Sequence, residues 1–244
     1  MNLIIDIGNT VAKLVMFDKG KPVYEEYTPN TTLEALPYVV ERFTPAKAVV
    51  STVVDLTEEV RSRINALPFS VLFVHGDTPT PAKIMYRTPQ TLGADRLAAV
   101  VGAMTLKPGR NLLIVDAGTC VTYERVSADG HYLGGNISPG IDIRLKALHE
   151  YTAHLPLVVP EGPLPAIGFD TETAIRAGVM HGIQLEIEGY INRYRLKHPD
   201  LFVFLTGGTC FDFDSRLKNC IFADKYLVPR GLNRILEYND QQQA

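Results

Sequence analysis

The chain has 244 residues, with 24 Lys and Arg against 27 Asp and Glu and a formal net charge of −3. There is no cationic excess to follow a nucleic-acid backbone, and an apolar share of 46% excludes a disordered chain. No apolar run is long enough to cross a bilayer, and the first residues do not resemble a secretory signal. We therefore expect a cytoplasmic protein that does not bind nucleic acid or membranes.

The cysteines and histidines give no sign of a structural metal site. Cys120, Cys210 and Cys220 lack the spacing of a disulfide framework or a zinc site, and the six histidines show no metal-ligand spacing. We predict that all three cysteines are buried thiols.

The first half of the chain alternates strands with helices. Two strands over 2–17 are joined at Gly8, Asn9 and Thr10, and the later elements are a strand over 21–27, a helix over 32–43, a strand over 46–52, a helix over 56–67 and a strand over 69–76. The Pro- and Thr-rich stretch 76–91 is predicted to be a loop, and a helix from Leu92 ends at Pro108 and Gly109. This alternation indicates a mixed or parallel sheet with helices on its faces.

The opening pattern returns at "LLIVDAGTCVTYERV", where Asp116 follows an apolar strand as Asp6 does. After it come the segment "LGGNISPGI", a helix through about Tyr151, a Pro-rich loop over 155–165, a long helix over 170–196, a strand over 201–208 and a closing helix over 231–238. Two hairpins that each carry an aspartate at the turn predict a duplicated domain, with chance similarity of a short motif as the alternative.

The first turn has the chemistry of an anion site. Gly8 allows close backbone approach, and Asn9 and Thr10 offer polar groups beside the N–H groups of the turn. Lys13 could neutralise a phosphate, and Asp6 could hold a hydrated magnesium ion. The alternative is that Asp6 and Asn9 only cap a tight hairpin while the Lys13 side chain extends to solvent.

The usual nucleotide signatures are absent from the sequence. Neither the phosphate-binding motif G-x-x-x-x-G-K-[ST] nor a strand followed by G-x-G-x-x-G occurs. Any phosphate site must therefore use hairpin turns. Gly207 and Gly208, after a predicted strand, offer another close approach for a flat ligand, or simply form an ordinary turn.

Four motifs in fixed order resemble the type III pantothenate kinases: "DIGNT", "GADR", "VDAGT" and "GGNISPGI". The similarity covers essentially the whole chain, including "DTETAIRAG" and "LTGG". The resemblance implies an α/β fold of duplicated ribonuclease H-like, actin-like ATPase domains, divided at 1–110 and 111–244. It also implies ATP-dependent phosphorylation of pantothenate to 4′-phosphopantothenate, the first step of coenzyme A biosynthesis.

The resemblance also implies roles for particular residues. ATP would contact Asp6, Ile7, Gly8, Asn9, Thr10, Val11, Ala12, Lys13 and Thr119, with Mg²⁺ held by Asp6 through water. Asp116 would bind a monovalent cation, K⁺ or NH₄⁺. Pantothenate would contact Tyr86, Gly93, Ala94, Asp95, Arg96 and Thr171, and Asp95 would be the general base.

Each of three substrate residues has a competing structural role. A positioned carboxylate such as Asp95 can accept the proton of an attacking alcohol, but near a helix start it can also simply complement the helix dipole. Thr171 follows a plausible N-cap, Asp170, so capping is its alternative role. Tyr86 could contact substrate or anchor its loop.

The resemblance further implies a homodimer formed mainly through the second domain. Gly178 and Gly182, four residues apart on the long helix, permit close backbone approach, but alone they indicate only tight packing. Two other functions stay open: a non-catalytic regulator of the same fold, and a different small-molecule kinase on this scaffold.

Overall fold

The structure of the protein is a computed structural model that describes residues 1–208 and 221–243. Cys210 and Cys220 lie outside the described residues. Cys120 is partly exposed, so the prediction that it is buried was wrong. It is the first residue of a strand, next to an exposed turn, where the core does not cover it.

The first sheet holds five strands in the order β3-β2-β1-β4-β5. Its strands are β1 Asn2–Ile7, β2 Val11–Asp18, β3 Lys21–Pro29, β4 Lys47–Thr52 and β5 Ser70–Phe73, with helices α1 Leu36–Phe43 and α2 Glu58–Asn65. β1 pairs with β2 antiparallel and with β4 parallel. Alternate residues of these strands, such as Leu3, Ile5 and Leu14, pack with Val60 and Ile64 of α2 to form one core.

The second sheet has the order β11-β10-β7-β8-β9-β6. Its strands are β6 Lys83–Ile84, β7 Leu112–Ala117, β8 Cys120–Val126, β9 His131–Pro139, β10 Phe202–Thr206 and β11 Ile221–Ala223. The remaining helices are α3 Ala94–Leu106, α4 Ile141–Glu150, α5 Thr171–Arg195 and α6 Leu227–Gln243, with one 3₁₀ turn at Pro89–Thr91. Apolar residues of α5, including Ile183 and Ile187, pack on β7 and β10.

The two sheets repeat one arrangement. Apart from the short β6, the second sheet places its strands as the first does: a meander of three strands, with two parallel strands added beside the first strand of the meander. Asp6 and Asp116 each occupy the fifth position of a six-residue strand and are partly buried between buried neighbours. This confirms the predicted fold class of duplicated mixed sheets.

Two compact units emerge from the contacts within the chain. The first contains 1–110, 126–134 and 226–244, and the second contains 111–125 and 135–225. The sequence division at residues 110 and 111 stays a prediction about domains. In the described part of the chain, no helix combines the length and apolar character needed to cross a membrane.

Several element boundaries differ from the sequence predictions. α1 begins at Leu36 rather than near residue 32, because Pro37 lies in its first turn and Leu33 has a positive φ of 51°. The sequence predicts a turn over 127–132 and no element for the segment after it, but 131–139 form strand β9. β6 lies within the predicted loop, β11 was missed, and α6 is longer than predicted.

Candidate active site

The first turn is fixed by backbone and side-chain hydrogen bonds. The N–H of Gly8 donates to the carbonyl of Val11 at 3.0 Å. The side-chain amide of Asn30 donates to the carbonyls of Gly8 and Asn9, both at 2.9 Å. A Cβ at Gly8 would lie 3.1 Å from the Val11 carbonyl oxygen, closer than most side chains tolerate. The turn therefore holds one shape, with Asn9 and Thr10 exposed.

Asp6 lies between two strands at the end of β1. It is in register with Lys13 on β2 and with Ser51 on β4. The pKa of Asp6 is raised to about 6, mainly by burial and also by the charge of the Asp95 carboxylate. Ser51 and Lys13 oppose this rise. Ser51 is fully buried, so its hydroxyl acts on the Asp6 carboxylate away from solvent. Ionising Asp6 therefore costs free energy, and a nearby cation would lower that cost.

Lys13 is partly buried at the start of β2 and contacts aromatic rings as well as an acid. Its ammonium lies 3.4 Å from the Glu25 carboxylate. It also lies 4.8 Å from the ring centroid of Tyr226 and 5.5 Å from that of Tyr27. The alternative reading, in which the side chain extends freely to solvent, does not describe this position, since only 13% of the side chain is exposed.

Asp95 occupies the first turn of α3. Its carboxylate accepts a hydrogen bond from the N–H of Arg96 at 2.8 Å and lies over Gly93, where a Cβ would be 2.4 Å from it. Gly93 is the residue before the helix and gives no side-chain cap. The carboxylate therefore complements the helix N-terminus, as the structural alternative predicted, and also acts electrostatically on Asp6.

Tyr86, Arg96 and Tyr132 form a second cluster in the first unit. The rings of Tyr86 and Tyr132 stack with centroids 6.2 Å apart. The Arg96 guanidinium lies 5.6 Å from the Tyr86 ring centroid and donates to the Tyr132 hydroxyl at 3.2 Å. Gly134, with a φ of +103°, lies beside the Tyr86 ring, which is 3.6 Å from where a Cβ would be. Tyr86 is therefore partly anchored by its own neighbours.

The second turn repeats the first with different supports. The N–H of Gly118 donates to the Cys120 carbonyl, and the N–H of Gly140 donates to the Thr119 carbonyl, both at 3.0 Å. Asp116 is in register with Thr206 on β10, as Asp6 is with Ser51. Gly207, with a φ of +97°, lies so close that a Cβ would be 2.6 Å from the Asp116 carboxylate.

Thr171 lies in the second unit at the start of α5. Asp170 caps the helix by accepting from the N–H of Thr173 at 2.8 Å, and Thr173 completes the capping box. The predicted N-cap role of Asp170 is confirmed, and the exposed Thr171 side chain has no part in it. Thr171 instead lines a groove of about 820 Å³ between α4 and α5, together with Ile143, Arg144, Tyr151, Ala174 and Gly178.

The predicted site residues form two groups, one in each unit. The first unit holds the Asp6 to Lys13 turn, Asp95 and the Tyr86 cluster, and the second holds Asp116, Thr119 and Thr171. Sequence reasoning missed Ser51, Asn30 and Tyr132. A hydroxyl residue ending the apolar strand "AVVS" was the available signal for Ser51.

Asp6 and Asp95 fit a cation whose other ligands are phosphate oxygens and water. Among the described residues, no three His, Cys, Asp or Glu side chains cluster as a complete metal site. The charge of the Asp95 carboxylate nevertheless raises the pKa of Asp6, and two such negative charges favour a divalent cation nearby. Magnesium typically takes one or two carboxylates and completes its shell with phosphate oxygens and water.

The two repeated sheets have the fold class of the actin-like ATPases and sugar kinases. A Sinorhizobium meliloti structure described as a 2-dehydro-3-deoxygalactonokinase matches with a TM-score of 0.59 and 14% identity, over 98% of this chain and 99% of that one. A Campylobacter jejuni protein assigned to the Baf family of transcriptional activators matches with a TM-score of 0.61 and 26% identity, over 98% and 99%.

Sequence comparison identifies the family within this class. The family model for type III pantothenate kinase matches residues 2–193. A Bacteroides fragilis protein named type III pantothenate kinase is 55% identical over 240 residues, which cover 98% of this chain and 99% of the relative. The chain belongs to the type III pantothenate kinase family.

Proposed function

We propose that the protein transfers the γ-phosphoryl group of ATP to the primary hydroxyl of pantothenate, giving 4′-phosphopantothenate, the first step of coenzyme A biosynthesis. Beyond family membership, one observation carries this proposal. Asp95, the candidate base, acts electrostatically on Asp6, which closes the strand before the candidate phosphate turn. A proton acceptor and a phosphate site must be neighbours for an alcohol to attack the terminal phosphate.

The ATP phosphates are proposed to bind at the turn from Asp6 to Lys13. Its supports, the Gly8 and Asn30 hydrogen bonds, hold the backbone in one shape, so little ordering is needed when the ligand binds. Lys13 supplies the positive charge for the phosphates. Asp6 would hold Mg²⁺ through water, and this ion would neutralise charge on the transferring phosphate when bound.

Pantothenate is proposed to bind along Tyr86 and the first turn of α3. Arg96, held between Tyr86 and Tyr132, provides a fixed cation for the carboxylate of pantothenate. Asp95 accepts the hydroxyl proton on its carboxylate oxygen as the alcohol attacks the phosphorus. The N–H of Arg96 holds that carboxylate in place at 2.8 Å.

In the second unit, Thr119 is proposed to contact the nucleotide and Asp116 a monovalent cation, K⁺ or NH₄⁺. The bare backbone at Gly207, which leaves no space for a Cβ beside Asp116, supports a tightly shaped site at this aspartate. Thr171 is proposed to contact pantothenate.

A homodimer is proposed to form through the second unit. Contrary to the tight packing expected of them, Gly178 and Gly182 have open space beside them in the described chain, as does Gly189. The same helix exposes Leu185 (67%), its C-cap residue Leu196 is 87% exposed, and Ile167 (83%) and Phe169 (76%) precede it. A second copy packed on this surface would cover both the bare backbone and the apolar side chains.

Two rival functions can be tested in the same assay. The Campylobacter jejuni neighbour is named as a transcriptional activator, so a non-catalytic regulator is the first rival. Another small-molecule kinase on this scaffold is the second. The presence of Asp6, Asp95 and Asp116 favours an enzyme, and "GADR" favours pantothenate. A cytoplasmic location is proposed on the sequence pattern.

One experiment separates the three. The purified protein is incubated with ATP, Mg²⁺ and K⁺, and with pantothenate or one of a panel of hexoses, and phosphorylated product is measured by ³¹P NMR. We expect product only with pantothenate, and less of it when Na⁺ replaces K⁺. Phosphorylation of a hexose in place of pantothenate supports the second rival, and no turnover with any acceptor supports the regulator.

A further inference from the structure

A hydrogen-bond network centred on Glu186 joins three elements of the second unit. The Tyr123 hydroxyl on β8 donates to one oxygen of the Glu186 carboxylate at 2.7 Å. The Arg144 guanidinium on α4 donates to the other oxygen. Burial would raise the pKa of Glu186, but hydrogen bonds from Arg144, Tyr123 and Ser138 outweigh it and hold the pKa below its usual range. Glu186 is therefore a charged acceptor that fixes α4 and β8 to α5.

The network continues to the second turn through Pro139 and Gly140. Arg144 donates to the Pro139 carbonyl and to the Ser138 hydroxyl, each at 2.8 Å. The next residue, Gly140, donates its N–H to the Thr119 carbonyl at 3.0 Å. A Cβ at Gly140 would lie only 2.3 and 2.4 Å from the carbonyl oxygens of Gly118 and Thr119. The chain before α4 thus lies directly against the turn, and Arg144 holds it there.

A contribution to the stability of the fold does not by itself explain the ion pair between Arg144 and Glu186. The side chains of Arg144 and Glu186 are 21% and 26% exposed, so both lose much of their hydration. Ion pairs of this kind often contribute no more to stability than apolar residues of similar size. A guanidinium that donates in three directions does fix a backbone position precisely, which an apolar contact does not.

We propose that Arg144 and Glu186 are positioning residues for the nucleotide, acting on the Gly118 to Cys120 turn through Pro139 and Gly140. The inference rests on the proposed function, in which Thr119 contacts ATP. Neither residue touches the reacting groups. Because small displacements of a binding group cost large factors in affinity and rate, loosening this network weakens nucleotide binding more than pantothenate binding, most of whose proposed contacts are in the first unit.

The test compares Glu186→Gln with Glu188→Gln on the same helix. Glu188 accepts from Gln184 at 3.0 Å, so the control makes the same chemical change outside the network. The dissociation constant of a fluorescent ATP analogue is measured at equilibrium, and KM is measured for ATP and for pantothenate. We expect Glu186→Gln to weaken analogue binding and raise KM for ATP by about 10- to 100-fold, with a much smaller rise in KM for pantothenate. Glu188→Gln should match the wild type.

Two further variants keep the test decisive if Glu186→Gln folds poorly. Arg144→Lys retains the charge but loses the multiple donors, and should weaken nucleotide binding in the same direction. Tyr123→Phe removes one hydroxyl and should give a smaller effect of the same kind. Equal rises in both KM values, or analogue binding unchanged in folded variants, overturns the proposal. A wild type that binds the analogue but does not phosphorylate pantothenate overturns the proposed function alone.

Discussion

Asp6 and Asp95 lie in the same compact unit, and the charge of the Asp95 carboxylate raises the pKa of Asp6. Asp6 lies near the end of the first strand, β1, and Asp95 lies in the first turn of helix α3. Two carboxylates held in this way repel each other when both are ionised. Their proximity disfavours the protein without a bound cation and favours it with one, which is the electrostatic pattern expected at a site for metal-bound phosphate.

The first prediction concerns stability and pH. A carboxyl whose pKa is higher in the folded chain binds protons more tightly when folded, so stability falls as pH rises through that window. For Asp6 the window runs from 3.8 to about 6. Without nucleotide or Mg²⁺, Asp6→Asn should therefore be more stable than the wild type at pH 8, by about 1 to 3 kcal/mol, and should lose this advantage near pH 4. Urea unfolding at both pH values checks this, and a variant less stable at pH 8 than at pH 4, relative to the wild type, contradicts it.

A second prediction concerns the charge at the first turn. Lys13→Gln should raise KM for ATP by about 10- to 100-fold, because a charged donor to phosphate contributes more than a neutral one. Lys21→Gln is the matched control, since Lys21 is exposed at the start of β3. Steady-state kinetics with both variants measures the difference. Equal KM values for ATP would show that Lys13 serves only Glu25 and the tyrosine rings.

A third prediction uses two adjacent glycines near Asp116. Gly207→Ala should destabilise the fold by about 1 to 3 kcal/mol, because its φ is +97° and its new Cβ would meet Ala117 and Asp116. It should also weaken activation by K⁺, since the Asp116 carboxylate must move. Gly208→Ala adds a methyl group that has no described residue within 4 Å and should change neither property. Thermal unfolding and a K⁺ titration of activity test both variants, and a K⁺ response unaltered in Gly207→Ala argues against a cation at Asp116.

A fourth prediction concerns the proposed dimer. Gly182→Leu places a side chain where no described residue lies within 4 Å, so the variant should fold normally but fill the surface proposed for the second copy. Arg61→Leu puts the same residue on the exposed surface of α2 and is the control. Sedimentation should show a dimer for the wild type and the control and a monomer for Gly182→Leu. A dimer in all three places the contact elsewhere.

The hairpins, their aspartates and one helix N-cap could be predicted from the sequence. The two hairpins followed from apolar runs on both sides of a short polar turn, and the aspartates from the repeated motif, so the duplicated sheets could be inferred before the structure. The N-cap at Asp170 followed from the residue types at the start of a long periodic segment. These features depend on neighbours in the chain.

Features that depend on distant pairing could not be read in the same way. Ser51 lies opposite Asp6 only because β4 pairs with β1 in one register, and Tyr132 reaches Arg96 only once β9 is in place. β9 itself was hidden by Gly134 and Gly135, which weaken a strand signal; Gly135 is required because a Cβ would meet the Tyr123 carbonyl at 2.3 Å. The contact of Gly207 with Asp116 likewise joins residues far apart in the chain.

The measurement that tests the account most directly is the turnover of Asp95→Asn with ATP, Mg²⁺, K⁺ and pantothenate, alongside equilibrium binding of an ATP analogue. Loss of a general base costs about 10² to 10⁴ in rate. We predict that Asp95→Asn folds, binds the analogue at least as well as the wild type, and forms 4′-phosphopantothenate slower by that factor. Product formation at the wild-type rate would contradict the assignment of Asp95 as the base.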